Sequence, residues 1–265
     1  MYRAISASIA ISLVAALTGC RAQPAPAQAP TTLTVFAAAS LTEAFTQIGK
    51  DFEATHPGVT VVFNFAGSQQ LAQQLALGAP ADVFASANPN QMDAAIQAGR
   101  IASGTHQTFA RNWLVVIFPK DNPAQIRELK DLARPGLRFV LAAKEVPAGQ
   151  YALEFLNKAA QDAAFGSSFK TEVLNNVVSY EENVRAVLSK VALGEADAGI
   201  VYASDAGRSD AIGRLDIPDA LNTLAVYPIA SIADSAHTSL AQDFIGWVLG
   251  RQGQAVLVEY GFISR

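Results

Sequence analysis

A single cysteine, Cys20, in 265 residues leaves nothing for a disulfide scaffold to pair. Charge is sparse too. Only 16% of the chain is Asp, Glu, Lys or Arg, the formal balance is −4, and no Lys/Arg run occurs of the kind that neutralises a phosphodiester backbone, so nucleic acid is not an expected partner. His56, His106 and His237 stand apart, with no cysteine or carboxylate at metal-ligand spacing, which argues against a zinc site and against histidine-based catalysis. Neither a G-x-S-x-G elbow nor a G-x-G-x-x-G turn is present, and Gly194-Glu195-Ala196-Asp197-Ala198-Gly199 places Ile200 where a phosphate loop needs lysine. The chain is expected to be neither an enzyme nor a cofactor carrier.

Residues 1–19 read as an export signal rather than as part of the fold. Met1-Tyr2-Arg3 supplies a basic start, and the apolar stretch from Ala4 to Leu17 is too short to cross a bilayer as a helix. Leu17-Thr18-Gly19-Cys20 resembles the lipobox of bacterial lipoproteins, which implies cleavage before Cys20, lipidation of its thiol and a membrane anchor; an ordinary signal with an incidental cysteine is the alternative. Residues 20–30 continue as an Ala/Pro/Gln-rich tether prone to polyproline II.

Beyond Pro30 the chain is rich in apolar residues, 51% overall, and long enough for one large domain or two smaller ones. Continuous apolar runs mark strands at Leu33–Ala38, Val59–Phe65, Asp82–Ser86, Trp113–Phe118, Leu137–Leu141, Val173–Ser179, Ala198–Tyr202 and Leu224–Ile229, a pattern suited to parallel strands covered on both faces. Helical spacing lies between them, in Leu41, Phe45, Ile48 and Phe52 and again in Val184, Val187, Leu188 and Val191, with Gly194 as a C-terminal cap. The expected class is α/β with mostly parallel sheets. The expected division puts residues 31–110 plus 228–265 in one lobe and 111–227 in the other.

Several helices begin directly after a strand on small or hydroxyl residues. Ser40-Leu41-Thr42-Glu43 fits a capping box, with Ser40 as N-cap and Glu43 at N3. Ala66-Gly67-Ser68 opens a helix closed by Gly78; Val146-Pro147-Ala148-Gly149 opens another; Glu182-Asn183-Val184 opens a third. Such starts leave backbone N–H groups unpaired and carry partial positive charge, so together they could surround a small anion. Each one alone is also what an ordinary helix start carries. Tyr202, at a strand end on the same sheet edge, is either a core-edge residue or a phenol aimed at the ligand.

The runs Phe36-Ala-Ala-Ala-Ser40-Leu41, Phe65-Ala-Gly-Ser68, Gly78-Ala-Pro-Ala-Asp82-Val-Phe84, Val146-Pro-Ala148-Gly149-Gln-Tyr151-Ala, Glu182-Asn-Val184-Arg185 and Gly199-Ile-Val-Tyr202-Ala-Ser-Asp205-Ala resemble the periplasmic molybdate-binding proteins of ABC transporters, from about Thr32 to Phe262. The resemblance implies a two-lobed type II periplasmic-binding-protein fold with the ligand between the lobes. It implies that molybdate, or tungstate, is held by Ser40 and Ser68 through hydroxyl and amide, by the amides of Ala148 and Val184, and by the Tyr202 phenol. It implies delivery by hinge closure to the membrane permease of an importer, from outside the cytoplasm. No counterpart of the acidic residues that complete an octahedral shell in some archaeal relatives stands in Val146-Pro147-Ala148-Gly149, so tetrahedral coordination without carboxylates is expected.

Fixed donors without acceptors reject a protonated oxyanion, whose O–H would meet another N–H; phosphate is excluded on that ground. Sulfate, fully ionised and also tetrahedral, differs mainly in size. A binding protein for sulfate or another tetrahedral oxyanion is therefore the alternative, with an exported enzyme on the same fold a remoter one. No signal for oligomerisation is visible, and a monomer is the default.

Overall fold

A computed structural model describes residues 31–265. The export signal, Cys20 and the tether lie outside the described residues. The first half runs β1 (Thr31–Ala38), α1 (Thr42–Thr55), β2 (Val59–Ala66), α2 (Ser68–Ala76), β3 (Val83–Ala85), α3 (Pro89–Gln97) and β4 (Gln107–Asn112). The second continues with β5 (Leu114–Pro119), β6 (Phe139–Ala142), α4 (Pro147–Gln161), α5 (Phe169–Asn175), β7 (Val177–Glu181), α6 (Val184–Ala192), β8 (Ala198–Tyr202), α7 (Ala203–Ala206) and β9 (Ile212–Asp216). The chain then closes with β10 (Ala225–Ser231), α8 (Thr238–Leu249), α9 (Arg251–Glu259) and β11 (Ile263–Ser264).

These strands form two sheets, ordered β11-β4-β10-β3-β1-β2 and β7-β6-β8-β5-β9. The chain leaves the first sheet after Asn112, enters the second at Leu114 with only Trp113 between them, and returns at β10. This is a two-lobed α/β arrangement. The sheets are mixed rather than mostly parallel: four strand pairs are parallel and five antiparallel. The antiparallel pairs all involve β4, β5, β9, β10 or β11, the strands that carry the chain between sheets and to its C-terminus. β5 and β10 are each entered directly from the other sheet with no α-helix ahead of them, so no βαβ crossover sets their direction, and each runs antiparallel to both of its neighbours.

Apolar spacing explains the helices that flank the sheets. In α1 the buried Phe45, Ile48 and Phe52 form a stripe, and Phe45 and Phe52 meet Phe244 of α8 with ring centroids 6.2 and 5.2 Å apart. The opposite face of the first sheet packs Phe36 and Phe84 against Leu71 and Leu75 of α2 and Met92 of α3. In α6 the four positions Val184, Val187, Leu188 and Val191 are all buried, and Gly194 follows at φ +72°, the left-handed conformation that ends a helix without a Cβ penalty.

One expected strand is displaced. Val173–Ser179 divides into the end of α5 and the start of β7, because Phe169 and Val173, four apart, bury together as a helical pair. Asn176 turns the chain between them, donating its side-chain amide to the carbonyls of Leu132 and Arg134 at 2.8 Å each. The strands β4, β9 and β11 have no counterpart among the expected ones. Their sequences, QTFARN, IGRLD and IS, are short and half polar.

Candidate functional site

Five positions singled out in the sequence, Ser40, Ser68, Ala148, Val184 and Tyr202, line one small cavity between the two sheets. It is small, about 10 Å³, too small for a sugar or a peptide. Gly67, Ala87, Val146 and Asn183 complete much of the wall. No Asp, Glu, Lys, Arg or His is among the lining residues.

Ser40 reaches the cavity in an unexpected way. It is not the N-cap of α1: it sits inside a 3₁₀ turn, Ala39–Leu41, Leu41 occupies the cap position, and no side chain caps the helix. The capping box fails because both of its members have distant partners. The Ser40 hydroxyl pairs with the Tyr227 phenol at 3.0 Å, and the Glu43 carboxylate accepts from Arg185 of α6. When Tyr227 donates, the Ser40 proton is left to point into the cavity. Tyr227, fully buried on β10, is a residue that sequence reading used only to mark a boundary; an aromatic inside a strand carries no local sign of such a role.

Ser68 is the first residue of α2, with Gly67 as its N-cap. Its hydroxyl oxygen accepts from the Ala87 N–H at 3.0 Å, which occupies a lone pair and leaves the O–H free to donate. Ala148 is the second residue of α4, after Pro147, which has no N–H. Val184 is the first residue of α6. The Asn183 side chain caps that helix by accepting from the Ala186 N–H at 3.0 Å, so the cap does not consume the Val184 amide.

Tyr202 supplies the most telling atom. It is 1% exposed, and its hydroxyl has no hydrogen-bond partner. A buried unpartnered hydroxyl is costly, on the order of 1–3 kcal/mol, and native structures keep few of them without a reason. Burial raises the phenol well above its ordinary pKa, with Tyr227, Tyr151 and Asp205 adding to the rise, so it remains a neutral donor at physiological pH. The site thus presents hydroxyl and amide donors and no formal charge, a set suited to a small anion with oxygens on several sides.

Comparison with known proteins now fixes the family. The family model described as bacterial extracellular solute-binding protein matches residues 33–263. The chain belongs to this family. A Mycobacterium tuberculosis protein named molybdate-binding protein ModA is 41% identical to it over 261 residues, covering 96% of this chain and 95% of its own. Among solved structures, the periplasmic molybdate-binding protein of Azotobacter vinelandii superposes with a TM-score of 0.75 at 21% identity, covering 88% of this chain and 99% of its own. The sulfate-binding protein SubI of M. tuberculosis superposes with a TM-score of 0.78 at 20% identity, covering 88% and 86%. At those identities the two structures speak for the fold alone. In this solute-binding protein the cavity is where the carboxyl ends of strands from both sheets meet, the position at which open α/β sheets take their ligands.

Proposed function

We propose that this solute-binding protein captures molybdate, and tungstate with it, and delivers it to the membrane permease of an ABC importer. The unpartnered Tyr202 hydroxyl carries the reading: a buried donor facing an uncharged, donor-lined cavity needs an acceptor. The likeness to the M. tuberculosis protein over nearly its whole length supports molybdate as that acceptor. Ser40 and Ser68 bind from the lobe of residues 31–110 and 228–265, while Ala148, Val184 and Tyr202 bind from the lobe of residues 111–227. The ion links the two lobes in a closed form that a permease recognises, and no bond is made or broken. The protein acts outside the cytoplasm as a monomer, with Cys20 as its lipid anchor.

Convergent charge-assisted hydrogen bonds in a closed cleft hold a dianion without a countercharge. Isothermal titration with molybdate, tungstate, sulfate and phosphate in parallel tests the assignment. Molybdate and tungstate are expected to bind and phosphate is not; tight sulfate binding with none for molybdate would replace the cargo. Ser68→Ala is expected to weaken molybdate binding by about 1.5 to 3 kcal/mol in the same titration, the loss of one charge-assisted bond. An unchanged affinity would reduce Ser68 to a helix-start residue.

A further inference from the structure

Around the cavity runs a rim of side chains that touch across the cleft without lining it. The Gln69 side chain donates to the Glu182 carbonyl at 2.8 Å, Gln70 donates to the Glu182 carboxylate at 3.1 Å, and Gln91 donates to the Glu145 carbonyl at 3.3 Å. One junction stands out. The Gln150 side-chain oxygen, on the first turns of α4, accepts from the Asn88 amide at 2.8 Å and from the Asn90 amide at 3.1 Å. Both asparagines belong to the first-sheet side, at the start of α3.

Asn88 is built for this contact. It caps α3 by accepting from the Gln91 N–H at 3.1 Å, which fixes which end of its amide is oxygen and turns the nitrogen toward Gln150. Its own backbone is held by Ser86, whose hydroxyl donates to the Asn88 carbonyl at 2.8 Å. Asn88 is 2% exposed, so its bond to Gln150 is shielded from water as the Gln69 and Gln70 contacts are not. When the cleft opens, the Asn88 amide loses its partner while the rest of the residue stays in place.

We propose that Gln150 is the closure latch: it accepts from Asn88 and Asn90 across the cleft, holds the walls together around the anion and sets the anion's rate of release without touching it. The identity of that anion rests on the function proposed above; the latch does not. Gln150 lies two residues after Ala148, so the latch and a binding amide share one helical turn and move together. Gln150 is a positioning residue.

The test compares the wild type with Gln150→Met, which keeps length and helix propensity but removes the acceptor, and with Asn88→Ser, which keeps a cap for α3 but withdraws the donor. Release of radiolabelled molybdate into excess unlabelled molybdate is followed by rapid filtration. Each variant is expected to release molybdate about tenfold faster, the effect of roughly 1.4 kcal/mol of closure energy. The ratio of molybdate to tungstate affinity is expected to stay as in the wild type. Unchanged release would overturn the latch, as would a changed affinity ratio, which would place Gln150 on the ion itself. If the wild type binds no molybdate, the anion assignment falls and solution scattering of the ligand-free proteins decides the latch alone. A larger radius of gyration in both variants than in the wild type supports it, and equal radii overturn it.

Discussion

Gly149→Ala is expected to abolish measurable molybdate binding and to destabilise the protein by about 3 kcal/mol or more. A Cβ at Gly149 would stand 2.1 Å from the Ala143 carbonyl oxygen and 2.5 Å from that of Ala142. Both are backbone atoms at the end of β6, and neither is free to retreat. The Ala143 carbonyl already accepts from the Val146 N–H at 2.9 Å, and the Ala143 N–H donates to Glu181 on β7 at 2.8 Å. Relief can come only by lifting the first turn of α4 off the sheet, and that turn carries Ala148. One methyl group, which does not itself meet the ion, would thus withdraw an amide from it. Gly246→Ala in α8 is the matched control, since a Cβ there meets nothing within 4 Å. Calorimetric titration and urea unfolding of both variants check the expectation. A Gly149→Ala protein that binds as the wild type does would show that the α4 start moves freely, against the close contact described.

The second large effect concerns Asp205. Its side chain is fully buried beside Arg185, at 3.3 Å, and its other carboxylate oxygen has no partner. Burial pushes its pKa up to about 7; Arg185 lowers it, and Glu43 raises it. In the unfolded chain the group titrates near its ordinary 3.8. Between about pH 4 and pH 7 the folded protein therefore holds a proton that the unfolded chain has lost. Stability from this group falls as pH rises through that window, and the full penalty, on the order of 4 kcal/mol, is present above pH 7. Asp131, Glu181 and Asp197 act in the opposite sense: their folded pKa values are lowered, so their contributions are lost toward acid. Comparing Asp205→Asn with the wild type isolates the one group, because asparagine mimics the protonated acid. Denaturant unfolding at pH 4 and pH 8 is expected to show the variant close to the wild type at pH 4 and markedly more stable at pH 8. A stability difference independent of pH would mean that Asp205 is ionised in the folded protein throughout.

Residues whose partners lie a few positions away were legible in the sequence. The stripes of α1 and α6, the strand-to-helix junctions and the small residues opening α2, α4 and α6 all follow from local spacing, and the five residues that the family resemblance picked out, four of them at those helix starts, line one cavity. Long-range partners defeated the reading. Ser40 and Glu43 have capping-box spacing, yet Tyr227 and Arg185, 187 and 142 positions away, claim their side chains. Asn88 caps α3 by a local bond to Gln91, while its second bond crosses 62 positions to Gln150. The sheet strands that join the two halves were missed because β4 (QTFARN) and β9 (IGRLD) are only six and five residues long and show neither a continuous apolar run nor a regular alternation. The mixed sheets follow from those same strands.

The cavity's walls are shared between two bodies joined near Trp113, with hydroxyls on one side and amides and a phenol on the other. For a cargo held this way, grip depends on geometry rather than on any one strong chemical partner. Under the function proposed, a receptor that parted the halves would empty the carrier without competing for the ion at all. Unloading would then be a matter of leverage, and the acceptor downstream could be the weaker binder.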